Sequence, residues 1–187
     1  MKIVYLHGLN SSHRSFSFIS TSLPEHEPVL VDYLSPRPLS KSLVEIRAQL
    51  PTEPFVLIGH SLGGLLATIL AAENELVTKL ITISAPFAGS EACRALRWLP
   101  GGFGVLSDLT PTSQTIIKVK SLRLSIPTLS IISTGGHLPT SWEPNDSVVA
   151  ISSQKALPFG RKVEVKANHF EVMLHEDTVN LIKQFVF

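Results

Sequence analysis

Strand signals fall at 3–7, 28–33, 54–59, 79–84, 127–133 and 161–166, and most of them are solid apolar runs rather than alternations. A strand that alternates has one wet face; a strand that is apolar throughout is covered on both. Solid runs therefore imply a parallel sheet with crossover helices. Helical spacing of apolar residues fills the intervals, at roughly 12–22, 40–50, 61–74, 147–156 and 175–186. The spacing predicts a doubly wound α/β architecture with helices on both faces, in which ligands bind beyond the carboxyl ends of the strands. The residues just past each strand carry most of the functional information.

Composition narrows the class. A chain of 187 residues with 44% apolar side chains suits one domain, 1–187, with a substantial core. The 16 basic residues nearly balance the 15 acidic ones and no long basic run is present, which argues against nucleic acid or an anionic membrane surface as partner. A small-molecule partner is expected. Cys93 is the single cysteine, so no internal disulfide forms. Met1-Lys2 leads directly into the first strand without the layout of a signal peptide. The apolar stretch from Leu62 to Ala72 is far short of the roughly 20 residues that span a bilayer. A cytoplasmic protein without integral membrane association is the expectation. The segment 87–126 has weak periodicity and is long for a connection, so it is either a pocket wall or a mobile lid. Its Trp98 and Phe103 either receive acyl chains or simply pack a short helix onto the body.

The third strand ends in Gly59-His60-Ser61-Leu62-Gly63-Gly64. A chain that leaves a buried strand and enters a helix within about two residues strains the middle residue, and its neighbours must be small. Gly59 and Gly63 meet that need, which makes Ser61 the candidate nucleophile. The bland alternative is an ordinary strand-to-helix turn. Past the first strand, His7-Gly8-Leu9-Asn10-Ser11-Ser12 allows a sharp turn at Gly8. The amides of Leu9 and Leu62 would then form a two-donor oxyanion hole. The same serine-rich stretch also reads as a helix cap, with Asn10 or Ser11 accepting from the first turn.

An acid and a base are sought later in the chain. Asp146 sits between the fifth strand and a helix, where an aspartate is often just an N-cap. His169 follows the last strand and lands on the same rim. His60 lies inside the elbow, His7 closes a strand, His13 and His26 fall in polar segments and His175 opens the last helix, so all are less well placed. Glu143 and Asp108 are reserve acids: the first comes too early in its loop and the second precedes the fifth strand.

The order Ser61, Asp146, His169, each just past a parallel strand, is the order of the α/β-hydrolase triad. The chain resembles the small lipase/esterase-like branch of that superfamily, including the small bacterial lipases and the inositol-deacylase-like proteins. Tyr5-Leu6-His7-Gly8 is similar to the family's oxyanion loop and Gly59 to Gly64 to its elbow. Ser84-Ala85-Pro86-Phe87-Ala88-Gly89-Ser90 resembles its strand-end segment, Asp108 to Ser113 its Pro-Gly-Ser stretch, and Asn145 to Val149 its acid loop. Thr112 and Ser147 stand where the family often has glycine.

The resemblance implies a minimal, mostly parallel six-stranded α/β-hydrolase fold without a large cap domain. It also implies carboxyl-ester hydrolysis through an acyl-enzyme, with Ser61, Asp146 and His169 as triad, Leu9 and Leu62 as oxyanion donors, and neither cofactor nor metal. An open site favours short to medium acyl chains. Alternatives are an acyltransferase or another small serine hydrolase using the same residues, or a non-catalytic binding module on the same fold.

Overall fold

The computed structural model of the protein describes residues 1–90, 93, 104–138 and 142–187. Its strands are β1 (Lys2–Leu6), β2 (Glu27–Val31), β3 (Phe55–His60), β4 (Val77–Ile83), β5 (Thr128–Ser133) and β6 (Arg161–Val165). They form one sheet in the order β2-β1-β3-β4-β5-β6. Every pairing is parallel. The doubly wound sheet expected from the solid apolar runs is therefore present. Successive side chains of a strand point to opposite faces, and both faces are filled. In β1, Val4 and Leu6 enter one apolar cluster while Ile3 and Tyr5 enter the other. In β3, Phe55 and Leu57 divide from Val56 and Ile58 in the same way. Each large apolar side chain so buried contributes about 1.5–3 kcal/mol. The two edge strands, β2 and β6, are largely exposed, which is why 161–165 mixes charge with valine.

Its helices include α1 (Ser17–Thr21), α2 (Leu39–Arg47), α3 (Leu62–Glu73), α4 (Val105–Asp108), α5 (Gln114–Ser121), α6 (Ile151–Lys155) and α7 (Glu176–Val186). One face of the sheet carries α2, α3, α4 and α5; the other carries α1 and α7. Helix α3 is buried on every side from Leu62 to Leu70, as its uniformly apolar sequence requires.

Three local expectations shift. The helix over 12–22 is split, a 3-10 turn at His13–Phe16 preceding α1. Its N-cap is Ser12, without a side-chain capping bond, so the cap expected from Asn10 or Ser11 does not form. The helix over 147–156 begins only at Ile151, because the backbone of 145–150 closes a loop through an antiparallel bridge between Asn145 and Ala150. In the segment 87–126, α4 and α5 put Val105, Ile116 and Val119 into the core. Trp98, Leu99, Pro100, Gly101, Gly102 and Phe103 lie outside the described residues. Among the described residues no helix is long and apolar enough to cross a membrane, and no separate cap domain stands over the sheet.

Candidate active site

Ser61 occupies the single position between β3 and α3, with φ 54° and ψ −120°. A side chain at positive φ is strained and must be held by its surroundings. Ser61 N donates to the Ile83 carbonyl at 2.8 Å, and the Ser61 carbonyl accepts from Gly64 N at 3.0 Å. The backbones here cross so closely that side chains are excluded. A Cβ on Gly59 would lie 2.2 Å from the Gly63 oxygen, and one on Gly63 would lie 2.0 Å from the Leu6 oxygen. Leu62 opens α3, so its amide is among those that helix geometry leaves without an intrahelical acceptor.

The turn after β1 is pinned from the side. The His7 ring stacks on Tyr33 at 4.2 Å, and the Tyr33 hydroxyl donates to the His7 carbonyl. His7 Nδ1 donates to the Gly8 carbonyl at 2.8 Å. In a trans peptide the carbonyl and the next amide point in opposite directions. Holding the Gly8 oxygen toward the His7 ring therefore turns the Leu9 N–H away from it. Gly8 itself abuts the elbow: a Cβ on it would stand 3.3 Å from Ser61 Cβ.

Asp146 is fully buried and its carboxylate accepts from five donors. Oδ1 takes the amides of Val148 at 3.0 Å and Val149 at 2.7 Å. Oδ2 takes Gln154 Nε2 at 3.0 Å, the Ser133 hydroxyl and His169 Nδ1 at 2.7 Å. Burial pushes its pKa up, but the His169 contact and charge, Ser133 and the Val149 amide outweigh it, and the carboxyl is held below the usual range. The amide of His169 also donates to the Asp146 carbonyl at 2.9 Å. With Nδ1–H given to the carboxylate, Nε2 of a neutral His169 is left as an acceptor.

Ser61, His169, Leu9 and Leu62 all line one cavity of about 450 Å³ at the carboxyl end of the sheet. Phe18, Val148, Phe170, Met173 and Leu174 make much of its wall apolar, and Arg14 is the one Lys, Arg, Asp or Glu among its described lining residues. Ser90, Cys93 and Leu109, from the long fourth connection, close another side.

The reserve acids are engaged elsewhere. Asp108 accepts from the amide of Leu39 at 2.8 Å at the start of α2, and Glu143 is exposed in its loop. His13 pairs with Asp32, and His175 caps α7 by accepting from Asp177 N at 3.2 Å. Reading the sequence singled out neither Ser133 nor Gln154, and ranked His60 low. Ser133 and Gln154 reach Asp146 from a strand end and a helix, with no local signature. A polar Ser at the end of the apolar strand β5 was the one visible hint. Ser147 adopts φ 84°, which accounts for the glycine common at that position in the resembled family.

A family model described as alpha/beta hydrolase fold matches residues 35–105. Among solved structures, the chain is similar to the mature form of a Bacillus licheniformis lipase, BlEst2. The TM-score is 0.77 at 15% identity, covering 98% of this chain and 90% of that one. It is similar to a lipase-esterase related protein from Clostridium acetobutylicum, with TM-score 0.71 at 13% identity over 98% and 93% of the two chains. A metagenomic carboxyl esterase aligns with TM-score 0.73 at 15% identity over 90% of this chain and 64% of its own. The protein therefore has the α/β-hydrolase fold.

Proposed function

We propose that this α/β-hydrolase-fold protein is a serine hydrolase that cleaves carboxyl esters. One observation carries the reading. A strained serine at a strand-to-helix elbow lines the same apolar cavity as a histidine whose Nδ1 is held 2.7 Å from a buried, five-fold hydrogen-bonded carboxylate. Neighbours in fold that are described as lipases and esterases add support.

In this mechanism Ser61 Oγ attacks the ester carbonyl as its proton passes to His169 Nε2. Asp146 holds the imidazole tautomer and stabilises the imidazolium. The amides of Leu9 and Leu62 bind the oxyanion, which is the charge that develops in the transition state. The alcohol leaves with the proton from His169, forming an ester between the acyl group and Ser61. Water then attacks the acyl carbon, gives its proton to His169, and the acid departs as Ser61 Oγ is reprotonated. The wall formed by Phe18, Phe170, Met173 and Leu174 suits an acyl chain of short to medium length. The chain is read as one domain, with Ser90, Cys93 and Leu109 of the 87–126 connection on the pocket wall, and as a cytoplasmic enzyme.

Intact-mass spectrometry after exposure to a fluorophosphonate tests the nucleophile. A single adduct on the native chain that disappears in Ser61→Ala is expected, together with hydrolysis of p-nitrophenyl esters. An adduct that persists in Ser61→Ala places the nucleophile elsewhere. No adduct and no hydrolysis would favour a binding module.

A further inference from the structure

We propose that His60 is a positioning residue for His169, its Nε2–H fixing the His169 carbonyl and its ring bracing the imidazole against the Gly8 turn. The inference rests on reading His169 as the base. His60 is the last residue of β3, 5% exposed and on the cavity wall. Its Nε2 lies 3.0 Å from the carbonyl oxygen of His169, 109 residues away in the chain. A carbonyl only accepts, so Nε2 carries the hydrogen and a neutral His60 leaves Nδ1 bare. That Nδ1 lies 3.3 Å from the point where a Cβ on Gly8 would stand. On the other side the His60 and His169 rings lie 4.8 Å apart at 46°. One buried imidazole is thus wedged between the turn that carries the Leu9 amide and the loop that carries the base.

Charge gives the arrangement a second consequence. Burial first, and the proximity of His169 second, push the pKa of His60 down to about 3, against smaller opposing effects of the His169 carbonyl and Asp146. His60 is therefore neutral through the range in which His169 works. When His169 takes a proton, its cation faces Asp146 on one side and an uncharged ring on the other. A second cation at this distance would oppose proton transfer.

An ordinary core histidine satisfied by one carbonyl would tolerate loss of that donor with little kinetic effect. Two polar variants separate the cases. Gln at 60 reaches as far as Nε2 and keeps the donor; Asn reaches only as far as Nδ1 and loses it. His60→Gln is expected to keep kcat within about three-fold. His60→Asn is expected to lose about 30- to 100-fold in kcat with KM nearly unchanged, because misplacement of a catalytic group by about 1 Å costs on that order. NMR of ¹⁵N-histidine-labelled protein reads the same device without turnover. The wild type should show His60 as the neutral Nε2–H tautomer from about pH 5 to 8. The Nδ1–H of His169 on Asp146 should give a low-field proton in the wild type and His60→Gln and be lost in His60→Asn. Equal kcat and equal low-field signals in the two variants would overturn the proposal, as would titration of His60 in that window. If the wild type hydrolyses no ester, the functional reading fails, while the low-field proton still decides whether His60 positions His169.

Discussion

The elbow and the acid pocket sit on the same end of the sheet and are built by opposite means. The elbow is steric: within Gly59 to Gly64 the backbones approach so closely that a Cβ on Gly63 would lie 2.0 Å from the Leu6 oxygen, and the strain at Ser61 is locked by that crowding. The acid pocket is polar: Asp146 is fixed by donors from β5, its own loop, α6 and the His169 loop. Crowding needs small residues close together in sequence. A hydrogen-bonded carboxylate needs partners from several elements, and each partner tunes its charge. The elbow therefore tolerates no added volume, while the acid pocket tolerates no lost donor.

The largest effect is expected from Asp146→Asn, which keeps the shape of the acid pocket but favours the wrong tautomer of His169. Turnover should fall on the order of ten-thousand-fold, measured as ester hydrolysis. The Asn amide must also face groups that donate to the carboxylate, so a loss of stability of about 1–3 kcal/mol is expected in denaturant titration. Near-native turnover would mean that the acid lies elsewhere.

Gly63→Ala attacks the elbow instead. Backbone faces backbone there and cannot give way cheaply, so the cost should exceed the roughly 1–3 kcal/mol usual for overpacking. A melting temperature equal to that of the wild type would show that the elbow is not held by crowding.

Ser133→Ala removes one donor from Asp146 and should cost about 1–2 kcal/mol. Its signature is in pH. The folded-state pKa of Asp146 lies below its unfolded value, so this carboxylate contributes stability above the unfolded value, and the contribution fades as pH falls through the folded one. Losing Ser133 raises the folded pKa, and the acid-unfolding midpoint followed by circular dichroism should move to higher pH. An unmoved midpoint would remove Ser133 from the charge balance.

The smallest effect is expected from Ser147→Gly. It relieves a side chain at φ 84° but gives up the bond in which the Ser147 hydroxyl accepts from His137 N at 3.2 Å. A net gain of about 0.5–1 kcal/mol should appear as a melting point higher by about 1–4 °C.

Legibility in sequence follows the same division. The elbow is contiguous, so its glycines and the solid apolar run before them were readable without the fold. The parallel sheet was readable for the same reason: a strand covered on both faces has to be apolar throughout. Asp146 and His169 were found by a topological rule, that groups just past parallel strands share one rim, and the sheet order brings that rim together. The boundaries of 147–156 were misread because helical spacing carries no sign that the Asp146 side chain takes the amides of Val148 and Val149 first.

What the chain alone determined is whatever periodicity and local crowding dictate: six strands, the helices between them, and a serine in a turn that only glycines can flank. Tertiary structure alone decided how charge and orientation are set at the site. His60 under the His169 carbonyl, Ser133 and Gln154 on Asp146 and Tyr33 behind His7 are contacts across 8 to 109 positions of the chain. Each depends on a hydrogen bond whose direction exists only after the sheet has brought the strand ends side by side.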